Sequence, residues 1–123
     1  MDKENLIKRY LNALNNSDLK AIIDLFEEDA IVYSPLYNEM SADFFYQNLF
    51  QDTTKSKTKL IDIFYGKSNC VACYFQYEWT LKDGTLYPFY CVDVFEISSE
   101  NKFKKLRIIY DTAGIRNIFS SLH

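Results

Sequence analysis

Histidine is nearly absent from this chain: the single one is His123. That scarcity argues against nucleophilic triads, histidine-rich metal sites and imidazole acid–base catalysis, and leaves chemistry to carboxylates, tyrosines or lysines. A basic excess is missing too. The net charge is -3, and the nearest approach to a basic patch, Lys55, Lys57 and Lys59, is flanked by Asp52 and Asp62. Nucleic acid is therefore not an expected partner, because such binding needs clustered Lys and Arg to displace counterions. No apolar run approaches the ~20 residues of a membrane span, and Met1-Asp2-Lys3-Glu4 carries no apolar leader. No membrane association is expected, and a cytoplasmic location is. Three cysteines, an odd count, suit a reducing compartment. Cys70-Val71-Ala72-Cys73 has the C-x-x-C spacing, but in a strand-like run residues three apart point to opposite faces. No second pair completes a metal site, so a structural role is expected, with no metal and no cofactor.

Aromatic residues are plentiful instead, with ten Tyr and ten Phe among 123 residues. They cover much area with few rotatable bonds, which suits a core and the walls of a pocket alike. The length fits one domain, residues 1–123, with a self-sufficient core.

Leu6, Ile7, Tyr10, Leu11 and Leu14 follow helical spacing and predict a helix over about residues 3 to 15. Ser17 is placed to cap a second helix carrying Leu19, Ile22, Ile23 and Phe26. Ala30 to Tyr33 reads as a short strand ending at Ser34-Pro35. Ser41 is placed to cap a third helix with Phe45, Tyr46, Leu49 and Phe50 along one side. Residues 51 to 58 read as a polar loop. The period then changes, and Leu60 to Tyr65, Asn69 to Leu81, Tyr87 to Ile97 and Phe103 to Ala113 read as strands. Helices first and strands afterwards indicate an α+β fold.

Asp83-Gly84 predicts a tight hairpin turn that pairs Lys82 with Thr85. Counting back, Glu78 faces Phe89, Gln76 faces Cys91 and Tyr74 faces Asp93. With the next turn centred near Glu100, Asp93 faces Arg107 and Phe89 faces Asp111. One side of the three strands then carries Tyr74, Gln76, Glu78, Cys91, Asp93, Arg107, Ile109 and Asp111. The other carries Cys73, Phe75, Tyr77, Trp79, Tyr90, Val92, Val94, Leu106, Ile108 and Tyr110. The polar side is either a plain exposed face or a polar-lined cleft partly covered by the helices. In the second case the apolar side needs burial elsewhere, most simply against a second copy. A one-residue slip in either turn would undo this sorting.

Lys8-Arg9-Tyr10-Leu11, the run from Leu25 to Pro35, Cys91-Val92-Asp93-Val94-Phe95 and Ile109-Tyr110-Asp111-Thr112 resemble the nuclear transport factor 2-like superfamily. The likeness is to its SnoaL-like and ketosteroid isomerase-like branch and spans essentially the whole chain. It implies a cone-shaped, cystatin-like barrel, three N-terminal helices on a curved and mostly antiparallel sheet, commonly dimeric through the outer sheet face. By the same resemblance Tyr10 stands where the isomerases place an oxyanion-hole tyrosine. Asp93 stands where they place a protonated aspartic acid. Their general base is an aspartate just before the proline of the first strand, and here that residue is Ser34, which cannot hold an abstracted proton at neutral pH.

Arg107 opposite Asp93 would keep the carboxylate ionised, the reverse of the isomerase arrangement. Asp111 resembles the aspartate that SnoaL-like cyclases place on the last strand for proton transfer. Glu78 lies on its row about 10 Å away by strand spacing. A carboxylate merely anchored by Thr112 or Arg116 is the competing reading of Asp111. Phe26, Tyr33, Phe50 and Phe89 are candidate apolar walls. The expected ligand is a small organic molecule with an apolar body and a polar group, bound by this set together with Tyr74, Gln76, Glu78 and Arg107. Tyr10, Asp93 and Asp111 are the candidate catalytic residues of a cofactor-free isomerase, cyclase or dehydratase. A non-catalytic binding or interaction domain is the alternative.

Overall fold

A computed structural model describes residues 2–123. Helix α1 (Lys3–Asn15) turns Leu6, Ile7, Tyr10, Leu11 and Leu14 inward, and Asp2 caps it by accepting a hydrogen bond from the Glu4 amide at 2.9 Å. Helix α2 (Leu19–Ile23) is shorter than its periodicity suggests. Its cap is Asp18, not Ser17, which takes a left-handed φ of 48°, and Phe26 already belongs to strand β1 (Phe26–Ser34). A turn leads to β2 (Asn38–Ser41) and then to α3 (Ala42–Gln51), where Ser41 accepts from the Phe44 amide as expected.

The expected loop at 51–58 is instead the start of strand β3 (Thr53–Tyr65). Its polar composition reflects its place at the sheet edge. Lys55, Lys57 and Lys59 are exposed while Ser56 between them is buried. Charged residues at alternate positions are how an edge strand avoids pairing with other chains. Strands β4 (Cys70–Leu81), β5 (Leu86–Ile97) and β6 (Phe103–Ile109) follow, and a short helix α4 (Arg116–Ser121) ends the described chain. The sheet order is β2-β1-β6-β5-β4-β3, antiparallel except for β1 beside β6. The helices cover one face of this six-stranded mixed sheet, the α+β cone expected from sequence. No helix among the described residues is long and apolar enough to cross a membrane.

Both hairpin registers differ by one residue from expectation. At the first turn Leu81, not Lys82, closes on Thr85, with the Leu81 amide donating to the Thr85 carbonyl at 2.8 Å. The loop therefore holds three residues, Lys82-Asp83-Gly84, and Gly84 takes the positive φ of 90° that this turn needs. Asp93 consequently pairs with Cys73, and Gln76 with Tyr90. The second turn is centred as expected, with Ile97 opposite Phe103, but a bulge follows at once and sets Glu96 opposite Lys105. Beyond it Asp93 faces Ile108, and Arg107 faces Val94.

These slips exchange the faces of β5 relative to its neighbours. Inward come Cys73, Phe75, Tyr77 and Trp79 of β4, with Phe89, Cys91, Asp93 and Phe95 of β5 and Leu106 and Ile108 of β6. Outward go Tyr74, Gln76, Glu78, Tyr90, Val92, Val94, Arg107 and Ile109.

Candidate functional site

The inner face and the helices enclose an aromatic knot. Phe95 stacks on Phe103 with centroids 4.1 Å apart, and both meet the Tyr10 ring edge-on at 5.0 and 5.9 Å. Phe26 closes the group 5.2 Å from Phe103. This knot fixes the direction of the Tyr10 side chain from α1. Its hydroxyl shares a 2.6 Å hydrogen bond with that of Tyr46 on α3, so two buried phenols satisfy one another. Burial pushes the pKa of each well above the ordinary tyrosine range, and both stay protonated.

Beside them a narrow cavity of about 40 Å³ opens, room for a few water molecules. Tyr10, Leu14, Phe45 and Leu49 line it from the helices, and Ser34 and Tyr37 from the first strand and its turn. The sheet contributes Phe75, Tyr77, Trp79, Phe89, Cys91, Asp93, Ile108 and Tyr110. No lysine, arginine or histidine is among these residues.

Asp93 is 2% exposed; its two polar neighbours are Cys91, whose thiol donates to Oδ1 at 3.2 Å, and Tyr10, which lines the same cavity. Burial raises its pKa from 3.8 to about 7, although both neighbours pull the other way. The expected Asp93–Arg107 ion pair does not form: Arg107 is on the opposite face with its guanidinium 4.5 Å from the centre of the Tyr33 ring. The one-residue bulge in β6 separates them and leaves Asp93 an acid in an apolar site. A protonated carboxyl there can donate a hydrogen bond, and so can the Tyr10 hydroxyl when Tyr46 is the donor in the bond they share.

The other sequence candidates are dispersed. Phe89 lines the cavity, stacked against Tyr77 at 5.1 Å. Phe26 sits in the knot behind Tyr10, and Phe50 packs on Tyr46 at 5.9 Å. Tyr33, Tyr74, Gln76 and Glu78 are half-buried positions outside the cavity lining. Asp111 is exposed beyond β6, where its carboxylate accepts from the Ala113 amide at 2.9 Å and its carbonyl accepts from Tyr87. The bulge turns Tyr110 inward in its place. Ser34 does line the cavity, but its hydroxyl oxygen accepts from the Leu36 and Tyr37 amides and caps the β1–β2 turn. Cys73 lies buried beside Asp93, and Cys70 points the other way, as alternation requires.

Sequence reading did not assign Tyr37, Tyr46, Tyr77 or Tyr110 to the site. The available signal was their number: a chain rich in tyrosine that buries their hydroxyls must pair them, and such pairs gather around a cavity. Among the described residues no cluster of His, Cys, Asp and Glu is arranged to hold a metal ion.

Three solved structures can be set beside this geometry. A protein of unknown function from Cytophaga hutchinsonii, described as nuclear transport factor 2-like, superposes with a TM-score of 0.74 at 15% identity, covering 94% of this chain and 95% of its own. The fold is nuclear transport factor 2-like. SalBIII, described as an epoxide hydrolase/cyclase-like enzyme in pyran ring formation in salinomycin, gives 0.77 at 20% identity, with 88% and 89% coverage. TerC, co-crystallised with polyporic acid, gives 0.79 at 12% identity, with 95% and 97% coverage. No family model matches the sequence, and no curated protein does. The nuclear transport factor 2-like fold is thus a likeness of shape, and the chemistry must be argued from the cavity itself.

Proposed function

We propose that this protein binds a small, uncharged organic molecule in the cavity, with an oxygen of the ligand held between Tyr10 and Asp93. The observation that carries this is a protonatable carboxyl beside a phenol in an aromatic-walled space with no cation. Two donors in such a place suit a carbonyl, an ether or an epoxide oxygen, and they suit it better as negative charge grows there. A carboxylate or phosphate ligand would find no counter-charge.

In its enzymatic form the site works as an acid. Asp93 passes its proton to the ligand oxygen, and the carboxylate left behind is stabilised by the Cys91 thiol. A nucleophile carried by the substrate, or a water, then completes a ring closure or ring opening, and the proton lost in that step returns to Asp93. SalBIII is described as an enzyme of this kind, which supports the reading. Isomerisation by carbon deprotonation fits less well, because Ser34 stands where a carboxylate base would be needed. That same residue favours a second reading, a binder that orients its ligand without reacting.

Titration with uncharged aromatic ketones, phenols and epoxides, followed by NMR, tests both readings. A bound compound should shift Tyr10, Phe89 and Asp93 together, and Tyr10→Phe should weaken it about tenfold, the worth of one hydrogen bond. Equal binding by the variant would remove Tyr10 from the site.

A homodimer through the outer sheet face completes the proposal. Tyr90 and Ile109 are 58% and 50% exposed there, beside Tyr74, Val92 and Val94. An apolar patch of this kind on a sheet marks an interface. Light scattering should give about twice the 14.5 kDa chain mass, and Ile109→Lys should return it to one chain. A wild-type monomer would refute the dimer.

A further inference from the structure

The ligand site is narrow, and one of its walls is held shut by a histidine that the acid chemistry does not use. Tyr37 lines the cavity, and its ring makes edge-to-face contacts with Phe45 of α3 at 5.3 Å and Phe119 of α4 at 4.9 Å. Its hydroxyl donates to Asp52 Oδ2 at 2.6 Å. Asp52 is 3% exposed at the end of α3, and two basic side chains converge on it: Lys82 Nζ at 3.1 Å and His123 Nε2 at 2.9 Å. The segment carrying Phe119 is anchored at its start, where Ile115 is fully buried and Arg116 donates to the Pro35 carbonyl. Its far end is held at Asp52 through His123.

The geometry of that last contact depends on protonation. His123 Nδ1 lies 2.8 Å from the Phe119 carbonyl oxygen, while Nε2 faces the Asp52 carboxylate. Both partners only accept, so both nitrogens must donate, and only the imidazolium can do that. We infer that residues 115–123 form a proton-controlled strap over the cavity, closed when His123 is charged and loosened when it is neutral, so that Tyr37 swings aside to admit the ligand. The neutral ring must give up one of its two hydrogen bonds and its charge toward Asp52. Lys82 then remains as the carboxylate's only cation, and Tyr37 loses the packing of Phe119. The titratable and charged groups facing His123 and its latch are Asp52 from α3, Lys82 from the β4–β5 turn and Tyr37 from the β1–β2 turn. Burial would raise the Asp52 carboxyl, but the hydrogen bonds from Tyr37, Lys82 and His123 outweigh it and leave the group below its ordinary range. Asp52 thus stays ionised while the histidine changes state.

The role as a gate rests on the cavity being the ligand site, but the strap's movement is measured without any ligand. Trp79, the only tryptophan, lines the cavity, and its quenching by acrylamide reports opening. Amide exchange at Phe119 and Leu122, corrected for intrinsic base catalysis, reports release of the strap. Raising the pH until His123 is neutral should increase both, exchange by about tenfold or more, the factor that one charge-assisted hydrogen bond controls. His123→Ala should be open at both pH values, and Asp93→Asn, which lacks only the separate loss of stability that ionisation of Asp93 brings, should keep the part of the response that His123→Ala abolishes. No pH response in the wild type, or an undiminished one in His123→Ala, would overturn the strap. A response lost only in Asp93→Asn would overturn it too and assign the effect to the cavity carboxyl. None of these failures bears on whether ligands bind.

Discussion

At pH 8 the Asp93→Asn variant should be more stable than the parent chain by as much as roughly 4 kcal/mol, and at pH 4 the two should nearly coincide. The reason is the separation between the folded value of about 7 and the ordinary 3.8. In that window the folded chain holds the Asp93 proton and the unfolded chain does not. Stability therefore falls as pH rises through it and levels off above about 7. Asparagine keeps the shape, has no proton to lose, and removes this slope. Urea unfolding of both chains across the window gives the difference curve, in which every other titrating group cancels. Parallel curves would mean that Asp93 ionises in the folded protein as it does in water. On the proposed reading, so unfavourable a carboxyl is kept at a cost in stability, a common cost of function.

Phe103→Ala should cost about 3–5 kcal/mol, because it removes a large side chain from a packed core. Phe103 is fully buried and touches Phe95, Phe26 and Tyr10 at once. A paired sheet strand relaxes only partly into such a space. The effect on the site is as informative as the effect on stability. Without Phe103 the Tyr10 ring loses one of the walls that direct its hydroxyl, so ligand affinity should fall although the substituted residue touches no ligand. Phe103→Leu leaves a smaller space and should cost less than Phe103→Ala, restoring part of both. Thermal unfolding and the same NMR titration measure the pair. A loss in Phe103→Ala below about 1 kcal/mol, far under the range for such a truncation, would show that the aromatic knot is not the structural support of Tyr10.

Much of the architecture was legible because periodicity carries it. Leu6 to Leu14 repeat at helical spacing, and Cys73 to Trp79 alternate, so α1 and β4 follow from the order of residues alone. Ser41 at the start of α3 was legible for a local reason, the cap hydrogen bond. The site was less legible because it depends on parity across two turns. Asp83-Gly84 fits a two-residue and a three-residue loop equally well, and only closure on Leu81 selects the second. The bulge after Phe103 has no local signature at all. Each slip reverses which side chains meet, and so the sequence pairs Asp93 with Arg107 where the folded chain gives it Cys73 and Ile108. Tyr10 and Asp93 still come together because a helix and a central strand bring them there whatever the pairing. Asp111 and Glu78 do not, since their place in the site rested on the register alone. Strand β3 was hidden by lysines that protect its edge, and α4 by its shortness, six residues of which none is fully buried.

The central claim is that burial lets Asp93 keep its proton up to about pH 7. Carbon-13 NMR of the side-chain carboxyls, with Asp93 assigned by its loss in Asp93→Asn, measures this directly. A titration midpoint near 7, as burial without a cation requires, would establish the donor pair with Tyr10. A midpoint near the ordinary 3.8 would mean that the carboxylate is charged in the cavity, and the proposed acid site would have to be abandoned.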